Sequence, residues 1–204
     1  MFTGIVQGQA KVLRFEKKSQ AAHLVLELPA DLRDKIALGG SIAVNGACLT
    51  VTAFEGAQVS FDLIMETLRV TNLGDLQPGS LVNVERAAKF NDEIGGHLLS
   101  GHVHTVAEIS AIEQPEDNRV LTFKLEPQWQ KYILNKGYIG LNGCSLTIAE
   151  VLENQFKVYL IPETLRITTF GALQTGARVN IEIDTQTQAV VDTVERVLAQ
   201  RENA

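Results

Sequence analysis

Apolar and polar residues exchange places over short distances along this chain. Runs of four to eight apolar or alternating residues recur between glycine and asparagine punctuation, a pattern that predicts short strands. In the first half, residues 5–13, 22–28, 41–44, 48–54, 59–63 and 81–86 read as strands. In the second half, residues 103–110, 120–125, 140–141, 145–151, 156–160 and 178–183 do so. Asn45-Gly46 and Asn142-Gly143 are tight-turn signals between strands. Short helical stretches are expected at residues 29–36 and 126–133, and at 66–73 and 163–170; the first opens on Pro29, which suits a first helical turn. At the end, Val190, Val191, Val194, Val197 and Leu198 recur at helical spacing, predicting a helix over roughly residues 186–201. It serves equally well to pack on its own domain or to join copies of the chain.

The two halves match at one constant offset. Asn45-Gly46-Ala47-Cys48-Leu49-Thr50 meets Asn142-Gly143-Cys144-Ser145-Leu146-Thr147, 97 residues on. Glu66-Thr67-Leu68-Arg69 meets Glu163-Thr164-Leu165-Arg166, and Gly4-Ile5-Val6 meets Gly101-His102-Val103. A period this long is a duplicated domain, since solenoid repeats run to about 20–50 residues. Six short strands in each copy suggest a small, closed antiparallel barrel, with the linker at residues 91–97. Polar motifs kept in both copies suggest two similar binding sites.

Composition narrows the function. Each half of the 204-residue chain is long enough to bury a core without metals or disulfides. The net charge of −6 and the lack of a basic run argue against a nucleic-acid partner. No apolar run is long enough for a membrane span, and the N-terminus lacks the signal-peptide pattern. The two cysteines, Cys48 and Cys144, favour a reducing compartment over a disulfide framework. The chain therefore reads as soluble and cytoplasmic. No zinc spacing or phosphate loop appears; His97, His102 and His104 lie close together, which leaves a histidine metal site as a minor alternative.

The candidate chemistry lies in shared residues and in differences between the copies. Thr50/Thr147, Glu66/Glu163 and Thr67/Thr164 recur, and threonine beside exposed strand backbone can fix a planar heterocycle or a polyol. Threonine also simply favours strands. At unlike positions Ser41 stands opposite Tyr138, Cys48 opposite Ser145, Ile5 opposite His102, Gly39 opposite Lys136 and Ala87 opposite Asp184. One scaffold could thus bind two like ligands and ask different chemistry of each. Each such residue has a plain alternative: Cys48 as a small apolar residue, His102 and Lys136 as solvated surface groups, Asp184 as a helix cap.

Several motifs together resemble the riboflavin synthase family over essentially the whole chain. They are Met1-Phe2-Thr3-Gly4-Ile5-Val6, both Asn-Gly-x-x-Leu-Thr motifs, Glu66-Thr67-Leu68-Arg69, the run from Gly95 to His102, and Ile181-Glu182-Ile183-Asp184. The resemblance implies an all-β fold: two six-stranded Greek-key β-barrels in tandem, with short helices and a C-terminal α-helix. The corresponding division is residues 1–97, 98–187 and a trimerisation helix at 188–204. It implies a homotrimer that converts two 6,7-dimethyl-8-ribityllumazine molecules into riboflavin and 5-amino-6-(ribitylamino)uracil, with no cofactor or metal.

The same resemblance distributes the site residues. Gly4, Ile5, Val6, Cys48, Leu49, Thr50, Asp62, Leu63, Ile64, Met65, Glu66 and Thr67 are expected to line the first lumazine site. Gly101, His102, Val103, Lys136, Ser145, Leu146, Thr147, Tyr159, Leu160, Ile161, Pro162, Glu163 and Thr164 are expected to line the second. Cys48, Ser41, His102 and Asp184 are the expected catalytic groups, with the reacting pair spanning a subunit interface. Lumazine proteins share the fold and bind a lumazine or flavin without turning it over; the four groups and the motifs kept in both copies favour the enzyme.

Overall fold

The structure is a computed structural model that describes residues 1–115 and 118–202. Strands β1 (Gly8–Lys17), β2 (Ala21–Glu27), β3 (Ser41–Val44), β4 (Ala47–Glu55), β5 (Gln58–Ile64) and β6 (Leu81–Arg86) close into a barrel in the order β1-β2-β5-β4-β3-β6. Every pairing is antiparallel. The connection from β2 to β3 crosses the barrel end, which is the Greek-key step.

The second half repeats this plan with β7 (Thr105–Glu113), β8 (Arg119–Lys124), β9 (Tyr138–Leu141), β10 (Cys144–Thr147), β11 (Glu150–Leu152), β12 (Gln155–Leu160) and β13 (Arg178–Ile183). They form one curled sheet in the order β10-β9-β13-β7-β8-β12-β11. The single strand expected at residues 145–151 is two strands here. At the break the chain changes neighbours: Ile148 exchanges hydrogen bonds with Lys136 and Gly137, while Ala149 N–H donates to Lys157 of β12. In β4 the equivalent corner is a register shift between Val51 and Ala53.

The helical stretches expected at residues 29–36 and 126–133 are only single-turn or two-turn 3-10 helices, Ala30–Leu32 and Pro127–Tyr132. Helix α1 (Met65–Val70) and helix α2 (Pro162–Ile167) follow β5 and β12. Helix α3 (Thr185–Glu202) ends the described chain. No helix among the described residues is long and apolar enough to cross a membrane.

Each barrel has its own apolar core, around Leu24, Leu26 and Phe61 in the first and Phe123, Phe156 and Phe170 in the second. The barrels meet through positions related by the repeat, as expected for a pseudo-twofold axis. Phe2 and Leu99 exchange backbone hydrogen bonds of 2.8 and 3.0 Å. The turns at Asn45-Gly46 and Asn142-Gly143 have positive φ at both residues, as a two-residue hairpin requires. They also touch each other: a Cβ on Gly46 would lie 2.6 Å from the Gly143 nitrogen. Around them, Asn83 Oδ1 accepts from Thr169 N–H and Asn180 Oδ1 accepts from Asn72 N–H, at 2.8 and 2.6 Å.

The two short segments before the barrels cross this axis. Val6 belongs to the second barrel's core, while Val103 packs against the first barrel's core. Burying Val6 there contributes about 1.5–3 kcal/mol to holding the crossing.

Candidate functional site: two splayed-strand clefts

The site begins where paired strands part. β4 and β5 pair from Val51/Phe61 to Glu55/Gln58 and no further. Residues 48–50 and 62–64 are therefore unpaired with each other, and the first candidate cleft lies between them. The second barrel does the same: β10 pairs with β9 and not with β12. Strand backbone left unpaired in this way offers hydrogen-bond donors and acceptors to a ligand.

Around the second opening lies a groove of about 610 Å³ lined by Lys136, Ser145, Leu146, Thr147, Tyr159, Ile161 and Thr164, along with Ala149. Its volume suits a small-molecule site. A smaller cleft of about 200 Å³ shares Ser145 and Thr164 with it and is walled by Gly4, Ile5, Val6, Cys144, Glu163, Ile167 and Thr168.

Each crossing segment packs on the barrel of the other repeat, not on its own. Gly4, Ile5 and Val6 do not join the first site: the Gly4 carbonyl accepts from Ser145 N–H at 2.8 Å, in the second. Gly101, His102 and Val103 go the other way, since the Gly101 carbonyl accepts from Cys48 N–H at 2.8 Å. Cys48 and the segment that carries His102, expected in different sites, therefore lie together. The reason is the crossing of residues 4–6 and 101–103: an offset shows which positions correspond, not which barrel they pack on.

Within the first cleft, Thr50 pairs with Ser41 across β4 and β3, which puts Ser41, Cys48 and Thr50 on one face. Asp62 Oδ1 lies 2.8 Å from His23 Nδ1. Ile64 and Met65 are exposed apolar residues at the rim, and Ile161 is the counterpart of Ile64. Leu49, Leu63 and Leu160 turn into the cores and leave only their backbone to a ligand.

The helix starts are built alike in both copies. Glu66 is bonded by Arg69 and Glu163 by Arg166, with paired distances of 2.8 and 2.6 Å in each copy. The partner arginine holds each carboxyl below the usual range. The Thr67 carbonyl accepts from Thr71 Oγ1 and the Thr164 carbonyl from Thr168 Oγ1. Pro162 opens α2 at a place where α1 has Met65.

Two features of the second site are unlike the first. Lys136 is exposed and has φ 67°, while its counterpart Gly39 has φ 76°. A lysine thus keeps a left-handed backbone that the other copy gives to glycine, the kind of strain that collects at binding sites. The second is His97, which the motif reading did not place in the site. Its Nδ1 lies 2.6 Å from Ser145 Oγ, and its ring stacks on Tyr138 at 5.0 Å. Its Nε2 is buried without a partner among the described residues. Burial pushes its pKa down, opposed by the charge of Asp184. Residue 97 precedes the second copy's first residue by one, so comparing the copies gave it no counterpart.

Asp184 itself caps α3: its Oδ2 accepts from Thr187 N–H and Oγ1 at 2.8 and 2.7 Å. One face of α3 is tied down, with Tyr132 donating to Asp192, Lys131 bonded to Glu195, and Val191 packed on the second barrel. The adjoining stripe of Val190, Val194, Val197 and Leu198 is exposed, at 64, 52, 41 and 53 %.

The lumazine binding domain family matches the chain twice, over residues 3–87 and 100–184. Riboflavin synthase of Escherichia coli (strain K12) is 60% identical, the match covering 100% of this chain and 96% of that protein. The chain belongs to the riboflavin synthase family. The enzyme of that name from Bacillus subtilis (strain 168) is 41% identical over 90% of this chain and 85% of its own. Among solved structures, LumP complexed with 6,7-dimethyl-8-(1'-D-ribityl) lumazine superposes with a TM-score of 0.83 at 28% identity, covering 91% of this chain and 100% of that one. LumP complexed with riboflavin gives 0.84 at 30%, with the same coverage.

Proposed function

We propose that this chain catalyses the dismutation of two 6,7-dimethyl-8-ribityllumazine molecules into riboflavin and 5-amino-6-(ribitylamino)uracil. One molecule passes a four-carbon unit to the other, the last step of riboflavin synthesis. The observation that carries the reading is the pair of like clefts with unlike reactive groups. Both have a splayed strand edge, a threonine at Thr50 or Thr147, and the same Glu-Thr helix start. The first adds Cys48, Ser41 and His102, whereas the second adds Lys136 and the His97–Ser145 pair. A reaction whose donor and acceptor are the same compound needs this combination.

The chemistry asks for three things. A proton must leave the 7-methyl group of one lumazine, a nucleophile must add to the other ring, and the rings must be held together. In the second cleft the imidazole of His97, kept neutral by burial, is suited to take that proton through Ser145 Oγ. In the first, Cys48 supplies a half-exposed thiol on the strand face it shares with Ser41, its backbone bonded to Gly101, the residue before His102. The electron-poor lumazine ring can hold the resulting charge itself.

The assembly follows from α3. Its exposed stripe of three valines and Leu198 supports a homotrimer in which the first cleft of one subunit faces the second cleft of another. The two free cysteines suit a cytoplasmic setting. Lumazine added to the protein should yield riboflavin over many turnovers, read by fluorescence. Stoichiometric binding with no turnover would make the protein a non-catalytic lumazine-binding antenna, and no binding at all would remove the reading.

A further inference from the structure

Two buried carboxylates, Glu85 in β6 and Glu182 in β13, are each 3% exposed and stand at equivalent positions of the repeat. Neither lines a cleft. Each spends both oxygens on a crossing segment. Glu85 Oε1 accepts from Thr3 N–H and Oγ1 at 2.6 and 2.8 Å, and Oε2 from Gly4 N–H at 3.2 Å. Glu182 Oε1 accepts from Ser100 N–H and Oγ at 2.6 and 2.7 Å, and Oε2 from Gly101 N–H at 3.1 Å.

The contacts continue towards the clefts. Ser100 Oγ accepts from His102 N–H at 3.1 Å, and Thr3 Oγ1 from Ile5 N–H at 3.3 Å. The backbone of three consecutive residues is thus fixed to one carboxylate. The next contact is the cleft wall: a Cβ on Gly101 would lie 2.5 Å from Cys48 Cβ, and one on Gly4 would lie 2.5 Å from Ser145 Cβ. A small movement of either glycine is therefore felt at Cys48 or Ser145.

A peg that only closed the barrel would need no charge. Donors converge on both oxygens of each group, and only an ionised carboxylate offers acceptors alone. Burial pushes the pKa of both groups up, and the hydrogen bonds from the crossing segments oppose it.

We propose that Glu85 and Glu182 are positioning residues that act crosswise. Glu182, in the second barrel, sets Gly101 and His102 against Cys48 in the first cleft. Glu85, in the first barrel, sets Gly4 and Ile5 against Ser145 in the second cleft. This assignment rests on the two-cleft lumazine reading above. It makes the geometry of each site depend on the barrel it does not belong to.

Glu182→Gln tests the claim with little change of shape. The amide oxygen can still accept from Ser100, but the amide NH2 would face Gly101 N–H, donor against donor. The probe is iodoacetamide, and the alkylation rates of Cys48 and of buried Cys144 are read separately by peptide mass. Glu182→Gln should raise the Cys48 rate by about tenfold, as expected from losing a hydrogen bond to a charged group. Cys144 should stay slow, and Glu85→Gln should leave Cys48 close to the wild-type rate. Ser100→Ala, which cuts only the link through the hydroxyl to His102, should give a smaller rise at Cys48. Equal Cys48 rates in the Glu85 and Glu182 variants would overturn the crosswise assignment. A parallel rise at Cys48 and Cys144 would show general loosening and overturn it too. Lumazine should also protect Cys48 of the wild type from alkylation. Failure of that protection alone would count against the lumazine reading, while the contrast between variants would still decide the positioning claim.

Discussion

Replacing Lys136 by glycine should make the protein more stable and a weaker binder. Lys136 has φ 67° where the first copy uses Gly39 at φ 76°. Its side chain is exposed, so glycine sacrifices little packing. Left-handed backbone costs a residue with a Cβ about 1–2 kcal/mol. Glycine removes that cost and adds about 0.5–1 kcal/mol of unfolded-chain entropy. The difference is a net gain of about 0.5–1 kcal/mol, or roughly 1–4 °C in Tm for a chain of this size. The Lys136 N–H bond to the Ile148 carbonyl, 2.8 Å, survives the change because it is made by the backbone. Binding should move the other way. Loss of an exposed ammonium at the groove rim should weaken lumazine binding by about 1 kcal/mol, roughly fivefold. Lys136→Ala separates the effects, since it removes the charge but keeps the strain. Its binding should fall as in the glycine variant while its Tm stays near the wild type. Urea unfolding and fluorescence titration of the three proteins measure both quantities. A glycine variant less stable than wild type would refute the strain argument, and unchanged affinity in both variants would remove Lys136 from the site.

Other consequences follow from the same geometry. Ending the chain after Thr187 should leave both barrels folded by circular dichroism and abolish the proposed trimer in sedimentation, because the Val190–Val194–Leu198 stripe goes with it; a trimer that persists would assign assembly to the barrels. Cys48→Ser and His102→Gln should each slow turnover by at least about tenfold, and because both groups lie in one cleft the double variant should lose far less than the product of the two; full multiplicativity would separate them again. Burial holds the folded pKa of His97 below its ordinary 6.5, so the folded state binds fewer protons than the unfolded chain just below that pH. The stability this confers is complete above 6.5 and is lost as pH falls through that value towards the folded pKa. Urea unfolding of His97→Gln should therefore show a shallower acid loss than wild type, and equal pH slopes would contradict the burial argument.

Much of this architecture was legible in the chain itself. The constant offset gave the duplication, and Asn45-Gly46 and Asn142-Gly143 marked hairpins that the backbone builds with positive φ at both residues. Strands β3 and β6 fall where alternation put them. What escaped has physical causes. The destination of residues 4–6 and 101–103 depends on contacts between barrels, which no local pattern encodes. His97 has no counterpart in the other copy, and its partner Ser145 is 48 residues away. The broken strand between β10 and β11 reflects a change of neighbour at Ile148, invisible in an apolar run. Asp184 reads from the sequence as either a catalytic or a capping group; its carboxylate accepts from Thr187 at the start of α3.

The proposed reaction needs two like lumazine sites in one chain, each completed by a segment from the other repeat. Titration of the wild type, Thr50→Ala and Thr147→Ala with 6,7-dimethyl-8-ribityllumazine measures them. Two ligands per chain are expected for the wild type. Each variant should lose about 1 kcal/mol of affinity at one site only, with the other unchanged. A wild type that binds one ligand per chain, or a Thr50→Ala variant that weakens both sites equally, would contradict the proposal.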